Sequence, residues 1–537
     1  MKTTIIAVLF SLLIGEFSAF ATVYNSDGSA ASVILNQTLA SNGDTITLPA
    51  GTFTWSVPVV INKAIKLQGA GAGRIVARSR SSVAFGTGTK TFTITTSTLA
   101  ADSIISSLTA GTTLRIWQLD KDKDSVYMLG TLSSLSGSTL TVNVATSTGT
   151  GTIGTWLIAT EPSTVIVHNY ASAASNPAEN DQLVNLTENT NGSVEMSGIY
   201  FTHGGSANCQ TTNFSYTSSG KPILLHDCWF YNKAALGDFH TYSTNRGVVY
   251  NCSFSWSYFA QSNSQAMHWQ ANSRTEVWSA PSTMGANDTT GASNLYVEDC
   301  DFHGGIGVSD FDANTKVVWR YCVMDNSGLA SHGYDTGPYG NRHWEIYNNR
   351  FEFTNAGDCD GSQTLGIVNF ALLRGGTGVI TDNYFENITS CAWGDKPELQ
   401  FGVWNLGRWC QSPGAYDADD SCVPHYPSPR QFGFGYVTGT GKDGHGLSTE
   451  GGIYVGDSEP AYVWNNTGFT PAIQITTDGT PCVTNQYGHV PDNPNDYIQA
   501  GRDYFVGTAK PGYQKYTYPH PLRSVTSPPP PQNLHTM

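Results

Sequence analysis

The segment YNCSF (250–254) ends in the large apolar residue Phe254, and six further segments of the chain end in an equivalent residue. The seven segments are MSGIYF (196–201), HDCWF (226–230), YNCSF (250–254), EDCDF (298–302), RYCVM (320–324), YNNRF (347–351) and TDNYF (381–385). Their last residues lie 29, 24, 48, 22, 27 and 34 positions apart. We expect the gap of 48 to hold two coils, one of them without the signature. Periods in this range predict a stacked repeat, in which each coil buries its apolar face against its neighbours.

The residue two positions before the anchor forms a predicted ladder along the stack. The ladder residues are Cys228, Cys252, Cys300, Cys322, Asn349 and Asn383. Apolar residues before the ladder should point inward, namely Leu225, Val249, Val297, Trp319, Ile346 and Ile380; their neighbours His226, Tyr250, Glu298, Arg320, Tyr347 and Thr381 should point outward. This period of two indicates strands. Stacked strands lie about 4.7–4.9 Å apart, so equivalent residues of successive coils form a ladder. Asparagine in such a ladder can hydrogen-bond the backbone of a turn. Cysteine there behaves as a small buried apolar residue.

The leucine-rich repeat is the competing solenoid, since it also has an Asn or Cys position beside an apolar residue. These repeats contain little Leu, no segment with a 3.6-residue period, and many Gly, Ser, Thr and Asn residues. Strand–turn–strand coils also tolerate variable lengths, because loops bulge outward between strands. We therefore predict an all-β fold: a right-handed parallel β-helix solenoid with an N-terminal cap and an inserted small β domain.

Both flanks of the repeats carry a family resemblance. The stretch GDTITLPAGTFTWSVPVVINKAIKLQG (43–69) resembles the opening coils of the pectate-lyase-like parallel β-helix superfamily, in which a short helix, here Ala30 to Leu39, caps the first coil. The stretch IQAGRDYFVGTAKPGYQKYTYPHPL (498–522) resembles the terminal segment of secreted bacterial β-helix proteins, as does YVWNNTGF (462–469). The resemblance covers most of the chain outside 81–163. It implies a fold and does not by itself imply an activity.

The domain organisation follows from where the coil pattern starts and stops. We predict a signal peptide at 1–21, an N-terminal cap and first coils at 22–80, an inserted β module at 81–163, the parallel β-helix at 164–470, a C-terminal cap or wrap at 471–524, and a Pro-rich linker at 525–537. Short strands with Gly and Ser turns in 130–159 resemble a small module of phage tail proteins. The Pro-rich end leaves open a further C-terminal module or a surface attachment.

Composition and the N-terminus narrow the partners and the compartment. The formal net charge is −15 with 13% charged residues, which argues against nucleic acid as a partner and leaves polysaccharide open. One lysine, an apolar run and Ala19-Phe20-Ala21 predict a secretory signal cleaved after Ala21, too short to span a membrane. We therefore predict a secreted, extracellular protein.

Export permits disulfide bonds, and the chain has ten cysteines. Four belong to the ladder, where we expect free, buried thiols. Cys410 and Cys422 flank the loop WCQSPGAYDADDSC and are the predicted disulfide pair. The remaining connectivity stays open. No Cys or His spacing suggests zinc, so no metal ligand is assigned, and calcium is left open as a cofactor.

Candidate chemistry follows from counting along the coils. Eight residues past the anchors stand Asp238, Asp310 and His332, so equal coil lengths would place them on one face. Asp310 and His332 belong to adjacent coils, which is the arrangement that a general base and its orienting partner need. The alternative is that Asp and His beside Gly only satisfy turn amides.

Arginines supply the second candidate feature. Arg342 and Arg374 each precede a repeat strand, and a guanidinium binds carboxylates through two parallel hydrogen bonds. In pectate-lyase-like enzymes an Arg or Lys near a calcium site takes the proton next to a uronic acid carboxylate, so the resemblance implies that such residues act in catalysis. We predict Asp310, His332, Arg342 and Arg374 as catalytic and Asp238, Arg320, Tyr334 and His303 as substrate-binding. The alternative for the arginines is an ion pair between coils with Glu298, Glu345 or Glu352.

Two functions remain open from the sequence. The first is an exported polysaccharide lyase or glycosidase that acts on a surface groove of the β-helix. The second is a rod without catalytic activity that binds carbohydrate, as an adhesin or a tailspike would. Converging Asp, His and Arg side chains favour the enzyme, whereas a flat face lined by Tyr and Trp favours the binder.

Overall fold

The computed structural model of the protein describes part of the chain. The described residues are 21–95, 108–118, 121–170, 182–203, 211–232, 240–242, 246–256, 267–269, 284, 287–304, 308–311, 315–331, 341–353, 369–387, 398–403, 432–434, 458–477 and 498–525. They form one α-helix, one 3-10 helix and forty strands. Most strands belong to three long parallel sheets, which together make a parallel β-helix.

Sheet A is the largest of the three parallel sheets. Its twelve strands, in spatial order, are β1 (Val23–Asn25), β2 (Thr45–Thr47), β5 (Lys66–Gln68), β16 (Glu195–Ser197), β19 (Ile223–His226), β22 (Gly247–Tyr250), β25 (Leu295–Glu298), β28 (Lys316–Arg320), β31 (His343–Tyr347), β34 (Thr377–Thr381), β37 (Ala461–Trp464) and β40 (Tyr504–Val506). The predicted inward and outward residues before the ladder all lie in this sheet.

Sheets B and C have ten strands each. Sheet B comprises β3 (Gly51–Trp55), β14 (Thr164–His168), β17 (Tyr200–His203), β20 (Trp229–Asn232), β23 (Ser253–Trp256), β26 (Asp301–His303), β29 (Val323–Asp325), β32 (Arg350–Phe353), β35 (Tyr384–Asn387) and β38 (Thr467–Gly468). Sheet C comprises β4 (Val59–Ile61), β15 (Val184–Thr187), β18 (Thr212–Ser215), β21 (His240–Tyr242), β24 (Met267–Trp269), β27 (Ser309–Phe311), β30 (Leu329–Ser331), β33 (Asn369–Leu373), β36 (Glu398–Val403) and β39 (Ile473–Thr477). Each coil visits sheets A, B and C in turn.

The predicted anchors stack in register, one per coil, in sheet B. The pairs run Phe201–Phe230–Phe254–Phe302–Met324–Phe351–Phe385 without interruption. Neighbouring phenylalanine rings lie parallel, with centroids 5.0 Å apart for Phe254 and Phe302. The 48-residue gap is therefore a single long coil, and the expectation of a hidden coil is wrong: the extra length lies in the connections on either side of β24.

The predicted ladder lies at the corner between sheets A and B. Its cysteine rungs and its asparagine rungs bond backbone carbonyls at equivalent positions of their coils. The Cys322 thiol donates to the Val297 carbonyl, and the Asn349 amide donates to the equivalent Trp319 carbonyl one coil on. The asparagine also accepts a bond from the Cys322 backbone N–H. All four ladder thiols are free and buried, as predicted, whereas Cys410 and Cys422 lie outside the described residues.

The residue before each rung adopts a left-handed backbone conformation, which bends the chain from sheet A into sheet B. These residues are Asp227, Asn251, Asp299, Tyr321, Asn348, Asp382 and Asn465, with φ between 50° and 56°. Asn and Asp tolerate this region best. Tyr321 is the exception, and its ring stacks on Tyr518 of the C-terminal segment with centroids 3.6 Å apart.

A separate antiparallel barrel lies between β5 and β14 in chain order. Its six strands are β6 (Arg74–Ser79), β8 (Gly88–Thr95), β9 (Thr113–Gln118), β10 (Tyr127–Ser136), β11 (Thr139–Ser147) and β13 (Trp156–Thr160), and β7 (Val83–Ala84) pairs with β12 (Thr152–Ile153). The barrel has its own apolar core around Phe92 and Trp156. It packs on sheet B, where Trp117 stacks over Trp229. The division of the chain into domains stays a prediction.

Both ends of the described chain cover sheet edges or faces. Helix α1 (Ala30–Leu39) has the predicted bounds, begins after the N-cap Ser29 and buries Ala30 and Val33 against the first coil. At the other end, residues 510–525 run across the outer face of sheet A and finish in the 3-10 helix Pro521–Val525. The interior between the sheets is filled by one continuous apolar core.

Candidate functional site

The outer faces of the three sheets differ in what covers them. The barrel packs on the outer face of sheet B, and the C-terminal segment packs on that of sheet A. Sheet C is covered by neither of these two elements in the described part of the chain. Several predicted site residues lie on the covered faces, so their surroundings have to be considered one face at a time.

Arg320, predicted to bind substrate, lies on the outer face of sheet A and is fully buried. Its guanidinium is paired with Glu298 and donates to the carbonyl oxygens of Tyr516 and Thr517 at 2.8 and 2.7 Å. Arg523 of the C-terminal segment pairs with the same Glu298 at 2.9 Å. The alternative of an ion pair between coils is therefore the correct one here, and this position is closed to a substrate.

His303, also predicted to bind substrate, is buried on the outer face of sheet B. Its Nδ1 lies 3.2 Å from Asp325 Oδ2, and Arg78 of the barrel binds both Asp325 and Asp301 at 2.9 and 2.8 Å. His303 thus belongs to a charge cluster between barrel and sheet. The surroundings favour a structural role that holds the two parts together.

The carboxyl groups of this cluster have divergent pKa values. Burial would raise the pKa of Asp325, but the Arg78 charge and the His303 bond lower it to about 2. Burial raises the pKa of Asp301 and of Glu352 even though arginines oppose the shift. Sequence reasoning missed Asp325 and Arg78, because the two residues are 247 positions apart and only the docked barrel brings them together.

Arg342, predicted to be catalytic, lies at the corner that leads from sheet C into sheet A. Its side chain is fully buried, and Nη2 lies 2.8 Å from Glu459 Oε2. Its backbone N–H donates to the Thr315 carbonyl of the preceding coil at 3.0 Å. Arg342 is therefore already paired with a carboxylate that is 23% exposed.

Asp310 is the middle residue of β27 on sheet C. Side chains alternate between the two faces of a strand, and the next residue, Phe311, belongs to the core. The neighbours of Asp310 in its row of register partners are His268 of β24 and Ala330 of β30. The flanking residue Phe311 is buried in the core, so the intervening Asp310 faces outward, where it is 5% exposed. Asp310 is thus the one predicted catalytic carboxylate on the outer side of sheet C.

Arg374 lies two coils further on than Asp310 and bonds Ser331 in the coil between them. The residue follows β33, and its Nε donates to the Ser331 carbonyl at the end of β30 at 2.6 Å, while its backbone N–H donates to Ser331 Oγ at 3.0 Å. Ser331 is the register partner of Phe311, the residue next to Asp310. The guanidinium of Arg374 and the carboxylate of Asp310 are therefore anchored on adjacent coils.

Counting eight residues from each anchor is wrong for this sheet. Asp310 pairs with Ala330 and not with a residue at position 332, because the connection into β30 is two residues shorter than the one into β27. The same count gives position 238 in the coil of Phe230. The residue of that coil that stands in register with His268, and through it with Asp310, is instead Thr241. Asp238, His332 and Tyr334 themselves lie outside the described residues, so their roles stay predictions.

The row that contains Asp310 is otherwise polar and uncharged over much of its length. In register it passes through Asn185, Asn213, Thr241, His268, Asp310, Ala330, Leu372, Gln400 and Gln474. Near one end Ser215 donates to Asn185 at 2.9 Å, and at the other Gln400 donates to Gln474 at 2.7 Å. Sequence reasoning missed these amides because it did not register the strands of sheet C.

The described residues show neither a metal cluster nor a membrane-spanning helix. Among the residues that the structure describes, no group of three or more His, Cys, Asp or Glu side chains is placed to hold a metal ion. In the described part of the chain no helix combines the length and apolar character needed to cross a membrane.

Comparison with known proteins adds distant similarities of fold. No family model and no curated protein matches the chain. Among solved structures, the chain is similar to an alginate lyase from Paenibacillus sp. str. FPU-7, at 9% identity and a TM-score of 0.36, over 85% of this chain and 99% of that one. It is also similar to the tailspike protein gp49 from Pseudomonas phage LKA1, at 11% identity and a TM-score of 0.24, over 86% of this chain and 67% of that one. At these levels, the function has to be inferred from the chain's own residues.

Proposed function

We propose that the protein is an exported polysaccharide lyase that acts on an acidic polymer at the outer face of sheet C. The proposal is supported by the outward position of Asp310 on sheet C and by the bond of Arg374 Nε to the carbonyl of Ser331, which lies in the adjacent coil and is the register partner of Phe311, the residue next to Asp310. Asp310 is the one carboxylate in the described part of this row, and we assign it the role of the base in an elimination. The amides on either side supply donors and acceptors for sugar hydroxyls.

The chemistry assigns one task to each group. Arg374 binds the carboxylate of a uronic acid and disperses the charge that develops there. Asp310 takes the proton from the carbon next to that carboxylate, the glycosidic C–O bond breaks, and the leaving oxygen receives a proton from water or from a neighbouring acid. His332 stays the candidate for that acid. The product carries a carbon–carbon double bond conjugated with its carboxylate, which absorbs ultraviolet light.

The test separates elimination from hydrolysis. Purified protein is incubated with polyuronates and with neutral polysaccharides, and both ultraviolet absorbance and reducing ends are measured, with and without added calcium and with a chelator. We expect absorbance to rise on a polyuronate, and Asp310→Asn and Arg374→Lys to reduce kcat by about 100-fold or more. Asp27→Asn and Arg80→Lys, which change exposed side chains of the same types, are the matched controls. Full activity in Asp310→Asn would remove the assignment, and reducing ends without absorbance would indicate a glycosidase.

A binding protein without catalytic activity is the second candidate, and the amide pairs favour it. Gln400 and Gln474 bond each other on the exposed surface at the end of the row, far from Asp310. Such a row can hold a polymer without cleaving it. In this case affinity electrophoresis would show retardation by a polysaccharide, no product would form on prolonged incubation, and Asp310→Asn would bind as well as the parent.

A further inference from the structure

A second ionisable residue stands directly beside Asp310 on the outer face of sheet C. Strands β24 and β27 are parallel neighbours, and His268 is the register partner of Asp310. Met267, the residue before His268, belongs to the core, so the alternation along a strand places His268 on the same face as Asp310. Because neighbouring strands lie about 4.7–4.9 Å apart, the two residues occupy adjacent positions of one face, one coil apart.

His268 is also the one neighbour of Asp310 in this row that can exchange a proton near neutral pH. In the following coil Asp310 pairs with Ala330 and not with position 332, which the count along the sequence had suggested for the acid. The other members of the row in the described part of the chain are amides, a threonine and a leucine.

The order of the groups along the β-helix matches the order of the reacting atoms in a uronic acid. His268 lies in the coil before Asp310, and Ser331, whose carbonyl accepts a bond from Arg374 Nε at 2.6 Å, lies in the coil after it. In the substrate, the carbon that loses its proton is bonded on one side to the carboxylate carbon and on the other to the carbon that carries the leaving oxygen. A base between an arginine and a histidine therefore suits this elimination.

We propose that His268 is the general acid of the elimination and protonates the leaving oxygen, an inference that rests on the proposed function. Asp310 removes the proton, and the electron pair of that C–H bond forms the carbon–carbon double bond as the glycosidic C–O bond breaks. The electron pair of the broken bond stays on the leaving oxygen, which takes a proton from the imidazolium of His268. Solvent then removes the proton from Asp310 and returns one to His268. Histidine suits this task because it changes its charge near neutral pH.

A substrate whose leaving group needs no proton tests this role. On a polyuronate, His268→Ala should lower kcat by about 100-fold or more, the usual contribution of a general acid. On a synthetic uronate with a nitrophenoxy group in place of the glycosidic oxygen and its sugar, the same variant should lower kcat by less than about fivefold, since nitrophenolate leaves without a proton. Asp310→Asn should slow the reaction of both substrates, because each must lose the same proton. Added imidazole should restore part of the kcat of His268→Ala on the polymer.

The control is His226→Gln, a substitution of a histidine on sheet A, which should keep the kcat of the parent on both substrates. An equal loss of kcat on the two substrates in His268→Ala, or no loss on the polymer, would overturn the inference while leaving the lyase proposal to the result for Asp310→Asn. Failure of both His268→Ala and His268→Gln to fold would overturn it as well, because the histidine would then be structural. A parent protein that forms no unsaturated product from any polyuronate would overturn the lyase proposal and the inference together.

Discussion

Sheets A and C differ in the residue types of their outer faces: sheet A presents a cluster of buried charges, whereas the described row of sheet C is mostly polar and uncharged. On sheet A, the charged residues Glu298 and Arg320 are fully buried beneath the C-terminal segment, which supplies Arg523 as a further partner. On sheet C, the row through Asp310 contains amides that bond one another at or near the surface. On sheet A the C-terminal segment makes these charges part of the fold, whereas the proposed ligand face is one that neither this segment nor the barrel covers in the described part of the chain.

The largest expected effect belongs to sheet A. Glu298→Gln leaves the fully buried Arg320 without its carboxylate, while Arg523 keeps Asp299, and breaking a buried pair costs about 3–5 kcal/mol. We expect a matching loss in the free energy of unfolding by urea denaturation. The control is Glu161→Gln, whose partner Arg115 lies in a more exposed pair and whose loss costs about 1 kcal/mol or less. If both variants lost equal stability, the contrast between buried and exposed pairs would be invalid.

The fold could be predicted because its signals are local. The alternation around Cys252 and Cys300 sets which residues face the core, and the anchors then stack in register without any knowledge of the loops. The register pairs from Phe201 to Phe385 confirm this part of the prediction. The single long coil between Phe254 and Phe302 was missed, because a gap of two normal periods has the same length as one coil with long connections.

The site could be predicted less well, because its geometry depends on distant segments and on loop lengths. Arg320 resembles a binding residue in sequence, but Tyr516 closes over it from 196 positions away. His303 is similarly enclosed by Arg78 of the barrel, through Asp325. Asp310 and Arg374 were singled out for their residue types, and the structure anchors them on adjacent coils by a route that counting did not foresee.

The next largest effect is a dependence of stability on pH on sheet A. Burial alone would lower the pKa of His226, but bonds to Asp227 and Glu195 raise it to about 9. Because the folded pKa lies above the value of 6.5 for the unfolded chain, His226 contributes stability that is fully present below pH 6.5 and is lost as the pH rises toward 9. The contribution amounts to about 3 kcal/mol.

Unfolding free energies measured between pH 6 and pH 10 for the parent and for His226→Gln test this expectation. The difference between the two proteins should shrink steadily across that range. A difference that stayed constant with pH would mean that the imidazole is neutral throughout and that its bonds to Asp227 and Glu195 carry no charge. Asp310→Asn should leave the same pH profile unchanged, since sheet C lacks this network.

The smallest effect on stability is expected for a substitution on sheet C. Its size distinguishes a face that binds a ligand from a face that stabilises the fold. Asn213 is half-buried and shares Ser215 and Asn185 as hydrogen-bond partners. Because water can replace these bonds, Asn213→Ala should change the free energy of unfolding by about 0.5 kcal/mol or less. Its affinity for a long polyuronate should nevertheless fall, while its affinity for a short oligosaccharide that reaches only Asp310 should not. A loss of stability as large as that of Glu298→Gln would show that the amide row stabilises the fold, as the charges of sheet A do. The proposal that sheet C is the ligand-binding face would then be wrong.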